Sequence, residues 1–310
     1  MIRAAALACL LPGLAAAQEY DTMDRAQCEA LLKRADMVQM GAVIEAAVLA
    51  PEDGWCRYAG LRLKGPNGYM DYGLDRARLR IGGAERLEHG LPPLAVELEI
   101  EGAHFAYTGG LDAGMRWLMT EQMKADGGIG LVLRAHWDRE AKALVLEEAS
   151  ADFPWDNGVR LSARVEGIDL TDRVSTERSA PFAGVTALEL ELVTHGLFES
   201  VFMLPIGPLL LEGAEEPEAR VAELKQAARA VVAGLPEVLL DEASREAALA
   251  LLEDLPHPVG RLLVQVAAEP GLGMAQAGPL ALGAAATPEG LAAVLAGVSV
   301  AVDYAGDRAP

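Results

Sequence analysis

Apolar and polar residues alternate through the middle of this chain, and the alternation recurs from segment to segment. Over 129–138, Ile129, Leu131, Leu133 and Trp137 point one way and Arg134, His136 and Asp138 the other. Over 159–167, Val159, Leu161 and Val165 oppose Arg160, Arg164 and Glu166. Over 185–195, Leu188, Leu190 and Leu192 oppose Glu189, Glu191 and His195, and 143–148 alternates likewise. A period of two with one apolar face marks half-buried strands. Alternation this regular points to an antiparallel sheet with one face packed and one wet.

Register can be read at two places. Arg76, Arg78 and Arg80 alternate on one segment and Glu97, Glu99 and Glu101 on the next. Antiparallel pairing of Arg76–Glu101, Arg78–Glu99 and Arg80–Glu97 also places Ala77–Ile100, Leu79–Leu98 and Ile81–Val96 together on the other face. A slip of one residue would spoil both faces. The inward parity changes between Leu74 and Ala77, which predicts a bulge near 73–76. Upstream, Gly65-Pro66-Asn67-Gly68 reads as a tight turn. Folding about it sets Leu63 against Met70, Leu61 against Tyr72 and Arg62 against Asp71.

Helical periodicity and end signals place helices over 21–34, 111–125, 217–233 and 241–255. The first has Thr22 or Asp21 as its cap and Leu31 and Leu32 turned inward. The third has Pro217 in its first turn and Gly234 past its end. Segment 37–49 fits either strand or helix. Strands are expected over 261–267 and 298–304, with a short helix opened by Thr287-Pro288-Glu289 between them. A helix followed by an apolar strand recurs near 119–137, 248–267 and 291–304. The fold class is therefore α+β: a long antiparallel sheet, meander or Greek key, with several packed helices and a helix-richer C-terminal third. Residues 18–205 form the β-rich region and 206–310 a helix-plus-strand region. The pattern leaves open whether these are one domain or two.

The first seventeen residues change the picture. Met1-Ile2-Arg3 is a short basic start, 4–15 is apolar, and Ala15-Ala16-Ala17 precedes Gln18. That is the form of a cleavable secretory leader, too short to span a bilayer. The mature chain is expected to begin near Gln18, in the periplasm or outside the cell. Cys9 leaves with the leader, so Cys28 and Cys56 are expected to form a disulfide. The apolar stretch 290–302 falls short of the ~20 residues a spanning helix needs, so no transmembrane segment is expected after cleavage. The net charge of -20 disfavours nucleic acid and anionic membranes as partners.

Candidate chemistry is sparse. His89, His104, His136, His195 and His257 make no zinc-hydrolase spacing. His195 shares a strand face with Glu189 and Glu191, a weak carboxylate–imidazole candidate. Gly297-Val298-Ser299-Val300-Ala301 imitates a nucleophile elbow, but no histidine follows Ser299. Gly271-Leu272-Gly273 and 127–130 lack the context of a phosphate loop, and 152–158 (DFPWDNG) puts Phe153 and Trp155 where calcium ligands belong. A turn at Asp156-Asn157-Gly158 accounts for it better. Trp155 beside Pro154 reads as a lid over the sheet edge, with an exposed anchor as the alternative. Met115, Met119 and Met123 form a stripe at i, i+4, i+8 on the second helix. Such a stripe packs a core, or it makes a soft wall for an apolar ligand. No metal or cofactor is expected.

The helix–proline–strand unit over 251–264 (LLEDLPHPVGRLLV), with the Leu188-Glu189-Leu190-Glu191-Leu192 strand, resembles uncharacterised AsmA-like β-meander proteins of the bacterial envelope. The resemblance implies an envelope role and carries over no functional residue. The expectation is thus an exported, soluble, non-enzymatic envelope protein that binds a protein partner or a lipid-like apolar ligand, with Met115, Met119 and Met123 as ligand contacts. The alternative is an exported hydrolase whose site converges from distant segments, His195 or His104 with nearby acids being the first candidates.

Overall fold

A computed structural model describes residues 20–37, 42–64, 70–107, 112–123, 127–199, 203, 207, 210–274, 290 and 293–307. Ten strands make one sheet: β1 (Ala42–Val48), β2 (Cys56–Lys64), β3 (Met70–Gly82), β4 (Ala95–Tyr107), β5 (Ile129–Asp138), β6 (Ala143–Phe153), β7 (Asn157–Glu166), β8 (Gly184–His195), β9 (Val259–Gly273) and β10 (Val298–Gly306). They lie side by side in chain order, each antiparallel to the next, so the sheet is a meander and not a Greek key. β9 and β10 extend the same sheet that 18–205 begins. The helices are α1 (Arg25–Met37), α2 (Ala113–Met123), α3 (Arg173–Ser179), α4 (Pro217–Gly234) and α5 (Glu242–Asp254).

The charge ladder of β3 and β4 has the expected register, Arg76–Glu101, Arg78–Glu99 and Arg80–Glu97, with the expected apolar pairs between. The β3–β4 pairing lapses between Gly73 and Arg76, but the register with both neighbouring strands is the same on either side, so no residue is inserted and the expected bulge is not found there. The first hairpin differs from expectation. Leu63 pairs with Tyr72, Leu61 with Leu74 and Arg62 with Gly73, two residues beyond the tight-turn register. A shift of two preserves every side chain's face, so the apolar pattern is blind to it. The turn residues 65–69 lie outside the described residues.

Helix starts are set by side-chain caps. Asp24 and Gln27 make a reciprocal capping box, each backbone N–H donating to the other's side chain at 2.8 Å, so α1 begins at Arg25 and not at 21. Asp21 is used elsewhere, accepting from the Ala84 backbone N–H at 2.6 Å. Asp112 caps α2 and Asp241 caps α5 through the N–H groups of Met115 and Ser244. α3 has no apolar period that marks it in the sequence; Asp172 caps it by accepting from Ser175 N–H at 2.8 Å.

Two small cores hold the ends of the sheet. At one end α1 packs Cys28, Leu31 and Leu32 onto Cys56, Tyr58, Leu79 and Ile81. Cys28 and Cys56 lie within disulfide distance, their Cα atoms 5.4 Å apart. Tyr58 donates its hydroxyl to the Cys28 carbonyl at 3.0 Å, and burial pushes the phenol up to about 12. At the other end the α4–α5 connection packs Leu235 and Leu239 onto Val266, Ala268, Val298 and Val300. α5 also closes the outer edge of β10: Val302 N–H donates to Ser244 Oγ, and Val300 N–H to the Leu239 carbonyl. Pairing those donors removes an open template for another strand.

Candidate binding face

Register carries the apolar alternation across the sheet as three unbroken rows. One runs Leu79, Leu98, Leu133, Ala149, Leu161, Leu190, Val264, Val302. Another runs Ile81, Val96, Ala135, Leu146, Ala163, Leu188, Val266, Val300, and the third Ala77, Ile100, Leu131, Ala151, Val159, Leu192, Leu262, Tyr304. Paired residues in an antiparallel sheet project to the same side. The two helical cores sit on this apolar side, one at β1–β3 and one at β9–β10.

Between them, β4 to β8 contribute three residues each. All fifteen are aliphatic, each is partly exposed, and none joins either buried core. Four inter-strand gaps of about 4.8 Å make this stretch about 19 Å wide. Its relief is uneven. Ala149 and Ala151 follow one another on β6, flanked by Leu133 and Leu131 on β5 and by Leu161 and Val159 on β7. The face is therefore lower over Ala149 and Ala151, while Leu146 on the same strand stands between Ala135 and Ala163. Sequence reasoning found each strand's inward set. It did not find the stretch that belongs to neither core, because alternation assigns a side and not a cover.

The opposite side is charged and internally neutralised. Glu97, 8 % exposed, accepts from Arg134 Nε at 2.9 Å and from Arg80 Nε at 2.5 Å. Arg134 also reaches Glu99 at 3.1 Å and pairs with Glu148, which Arg160 approaches at 3.3 Å. Burial pushes the Glu97 carboxyl up, but the arginine hydrogen bonds and charges outweigh it, so Glu97 sits below the ordinary glutamate range. Trp55 stacks under Arg78 and Arg80 at 4.5 and 4.6 Å, and Tyr20 under Arg80 at 4.1 Å. A cleft of about 390 Å³ adjoins this stack, its lining including Arg57, Arg76 and Arg78 with Glu52, Glu99 and Glu101. Each of these arginines has one of those carboxylates as its partner.

The structure does not assemble the histidine candidates. His195 stands exposed on β8, while Glu191 holds Arg261 and Glu189 holds Gln265. His104 sits with Nδ1 2.9 Å from the Gly102 carbonyl oxygen. No group of three metal-ligating side chains occurs among the described residues. Met115, Met119 and Met123 lie on α2, which packs beside β4. Met115 is 46 % exposed; the side chains of Met119 and Met123 lie outside the described residues.

The turn expected at Asp156-Asn157-Gly158 falls one residue earlier, on Trp155 and Asp156, with φ of 60° and 56°. Asn157 opens β7 instead. It is buried, and its Nδ2 donates to the Pro154 and Trp155 carbonyls at 2.8 and 3.2 Å. Its Oδ1 accepts from His195 N–H at 2.6 Å. Trp155 is 73 % exposed and so is not the lid expected over the sheet edge.

Fold and face together define a class: an antiparallel meander with one aliphatic side that carries a buried helical core at each end, the middle belonging to neither core among the described residues. No family model matches the chain, and no curated protein matches it. Among the described residues no helix is long and apolar enough to cross a membrane.

Proposed function

We propose that this is an exported, soluble protein of the bacterial envelope that acts by binding, without catalysis, and that its ligand is an aliphatic chain held on the β4–β8 face. One observation carries the reading: fifteen aliphatic side chains, partly exposed and free of any polar neighbour within their rows, lie between two helical caps. Monomeric proteins rarely leave extended apolar patches open unless something binds there. Leu, Val, Ile and Ala offer dispersion contact and no hydrogen bond, which suits an acyl chain and not a sugar or a nucleotide. The leader-like residues 1–17 support export, and the β-meander resemblance supports the envelope.

The test is titration of the mature chain with a fluorescent long-chain fatty acid. Binding should saturate. Ala149→Trp, which puts a bulky ring in the middle of the face, and Leu161→Asp, which charges its neighbour on β7, should each weaken it at least tenfold with far-UV circular dichroism unchanged. Arg160→Ala, on the charged side, should not. Absent binding, or equal binding by all three variants, would overturn the reading.

A further inference from the structure

We propose that the end of the sheet bearing α2 and the β6–β7 turn is a docking surface for a lipid bilayer of low surface charge, with Trp117 and Trp155 as its anchors. The proposal rests on the reading of the β4–β8 face as a site for aliphatic chains, and it names the source of those chains.

Topology brings the two tryptophans to one end. α2 lies in the connection from β4 to β5, and Gly130 at the start of β5 pairs with Asp152 near the end of β6. The turn carrying Trp155 therefore sits beside the end of the sheet from which α2 projects. Trp117 is 62 % exposed, Leu118 54 %, and Trp155 73 %. The other two tryptophans, Trp55 and Trp137, are 9 % and 7 % exposed. Tyr72, 38 % exposed and paired with Phe105, lies at the same end. Tryptophan and tyrosine favour the membrane–water interface, where an apolar ring with a polar edge meets both phases.

Presentation of Trp155 is built into the fold. A left-handed backbone is unfavourable for a bulky residue and is ordinarily filled by Asn or Gly in such a turn. Here the buried Asn157 holds the turn carbonyls on one side and the end of β8 on the other.

Charge selects the membrane. α2 carries Arg116 and Glu121 and no net charge, within a chain at -20. An anionic surface would repel the body, whereas a zwitterionic one would not. Access fits as well. The low stretch over Ala149 and Ala151 lies toward the same end of β6 as the Trp155 turn.

The test uses the full mature chain and phosphatidylcholine vesicles, plain or with brominated acyl chains that quench tryptophan. The expected result is co-sedimentation with quenching confined to Trp117 and Trp155. Trp117→Ala and Trp155→Ala should each lower vesicle affinity about tenfold. The double variant, with an unchanged melting profile, should retain unquenched emission from Trp55 and Trp137. No sedimentation, sedimentation that requires anionic lipid, or quenching that persists in the double variant would overturn the proposal. Fatty-acid titration without vesicles separates the two readings. Probe binding intact with vesicle binding absent sinks the docking surface alone. Vesicle binding intact with probe binding absent leaves the docking surface and sinks the ligand.

Discussion

Replacing Glu97 with alanine tests whether the charged side of the sheet stabilises by burial or merely decorates it. Glu97 has 8 % of its side chain exposed and holds Arg80 and Arg134, which are 30 % and 35 % exposed. Hydrogen bonds to charged groups contribute about 1.5–3 kcal/mol each. Two would give roughly 3–6, but both guanidiniums reach water and part of the gain is screened. Arg134 would also keep Glu99 and Glu148, and Arg80 its rings. The expected loss is therefore about 2–3 kcal/mol, well below the sum of the separate bonds. Glu101 is the control. It makes the same kind of pair on the same strand with Arg76, but the two are 63 % and 75 % exposed. Glu101→Ala should cost no more than about 0.5 kcal/mol. Equilibrium urea unfolding at pH 7 and low salt measures both. The pH dependence has a fixed sign. Glu97 is held below its ordinary range in the fold, so its contribution is complete above the unfolded carboxyl value of about 4.3. It is lost as pH falls through the folded value. The gap between wild type and Glu97→Ala should narrow in acid. Equal costs for the two variants, or a gap that widens in acid, would refute the burial argument.

Asn157→Ala should cost about 1–2 kcal/mol by urea unfolding, because it removes a buried amide's hydrogen bonds to the turn and to the end of β8, and faster hydrogen exchange at the His195 amide should accompany it. Gly260 has φ of 124°, and a methyl there would overlap the Ala305 carbonyl oxygen. Gly260→Ala should lower the thermal midpoint sharply, while Gly60→Ala, with φ of 59° and open space, should cost only about 1 kcal/mol. Reduction of the Cys28–Cys56 bond, at a sequence separation of 28, should destabilise by roughly 3–4 kcal/mol in thermal or urea unfolding with and without reductant. Thiol titration of the native protein should find neither cysteine free.

Much of the sheet was legible because its signals were redundant. Arg76 to Arg80 and Glu97 to Glu101 fixed a register through charge on one face and volume on the other. No single slip satisfies both, and the observed pairing is the expected one. The first hairpin had only the apolar parity to guide it, and parity is unchanged by a shift of two, so Leu63 met Tyr72 instead of Met70. Helix starts moved for a similar reason. Thr22 or Asp21 is the expected cap, but Asp24 closes a box with Gln27 and Ala84 claims Asp21. The claim on Asp21 comes from 63 residues away, beyond any local pattern.

The candidate face was illegible for a deeper reason. Alternation reports which residues share a side, because the strand's period is a local property. Whether that side is covered depends on where distant helices dock. α1 is pinned over β2 and β3 by the cores around Cys28 and Cys56, and the α4–α5 connection is held over β9 and β10 by Leu239. Leu133 and Leu190 read no differently along the chain from Leu79 and Val266, yet the first two stand between the caps and the last two beneath them. Trp155 follows the same logic in reverse. Its neighbours 152–158 predict a turn whatever occupies the tip, but only the side chain of Asn157, bridging to His195 on another strand, fixes which residue is left outside. If the proposed aliphatic ligand binds between the caps, substitutions that relocate the caps should move its site without touching a residue that lines it.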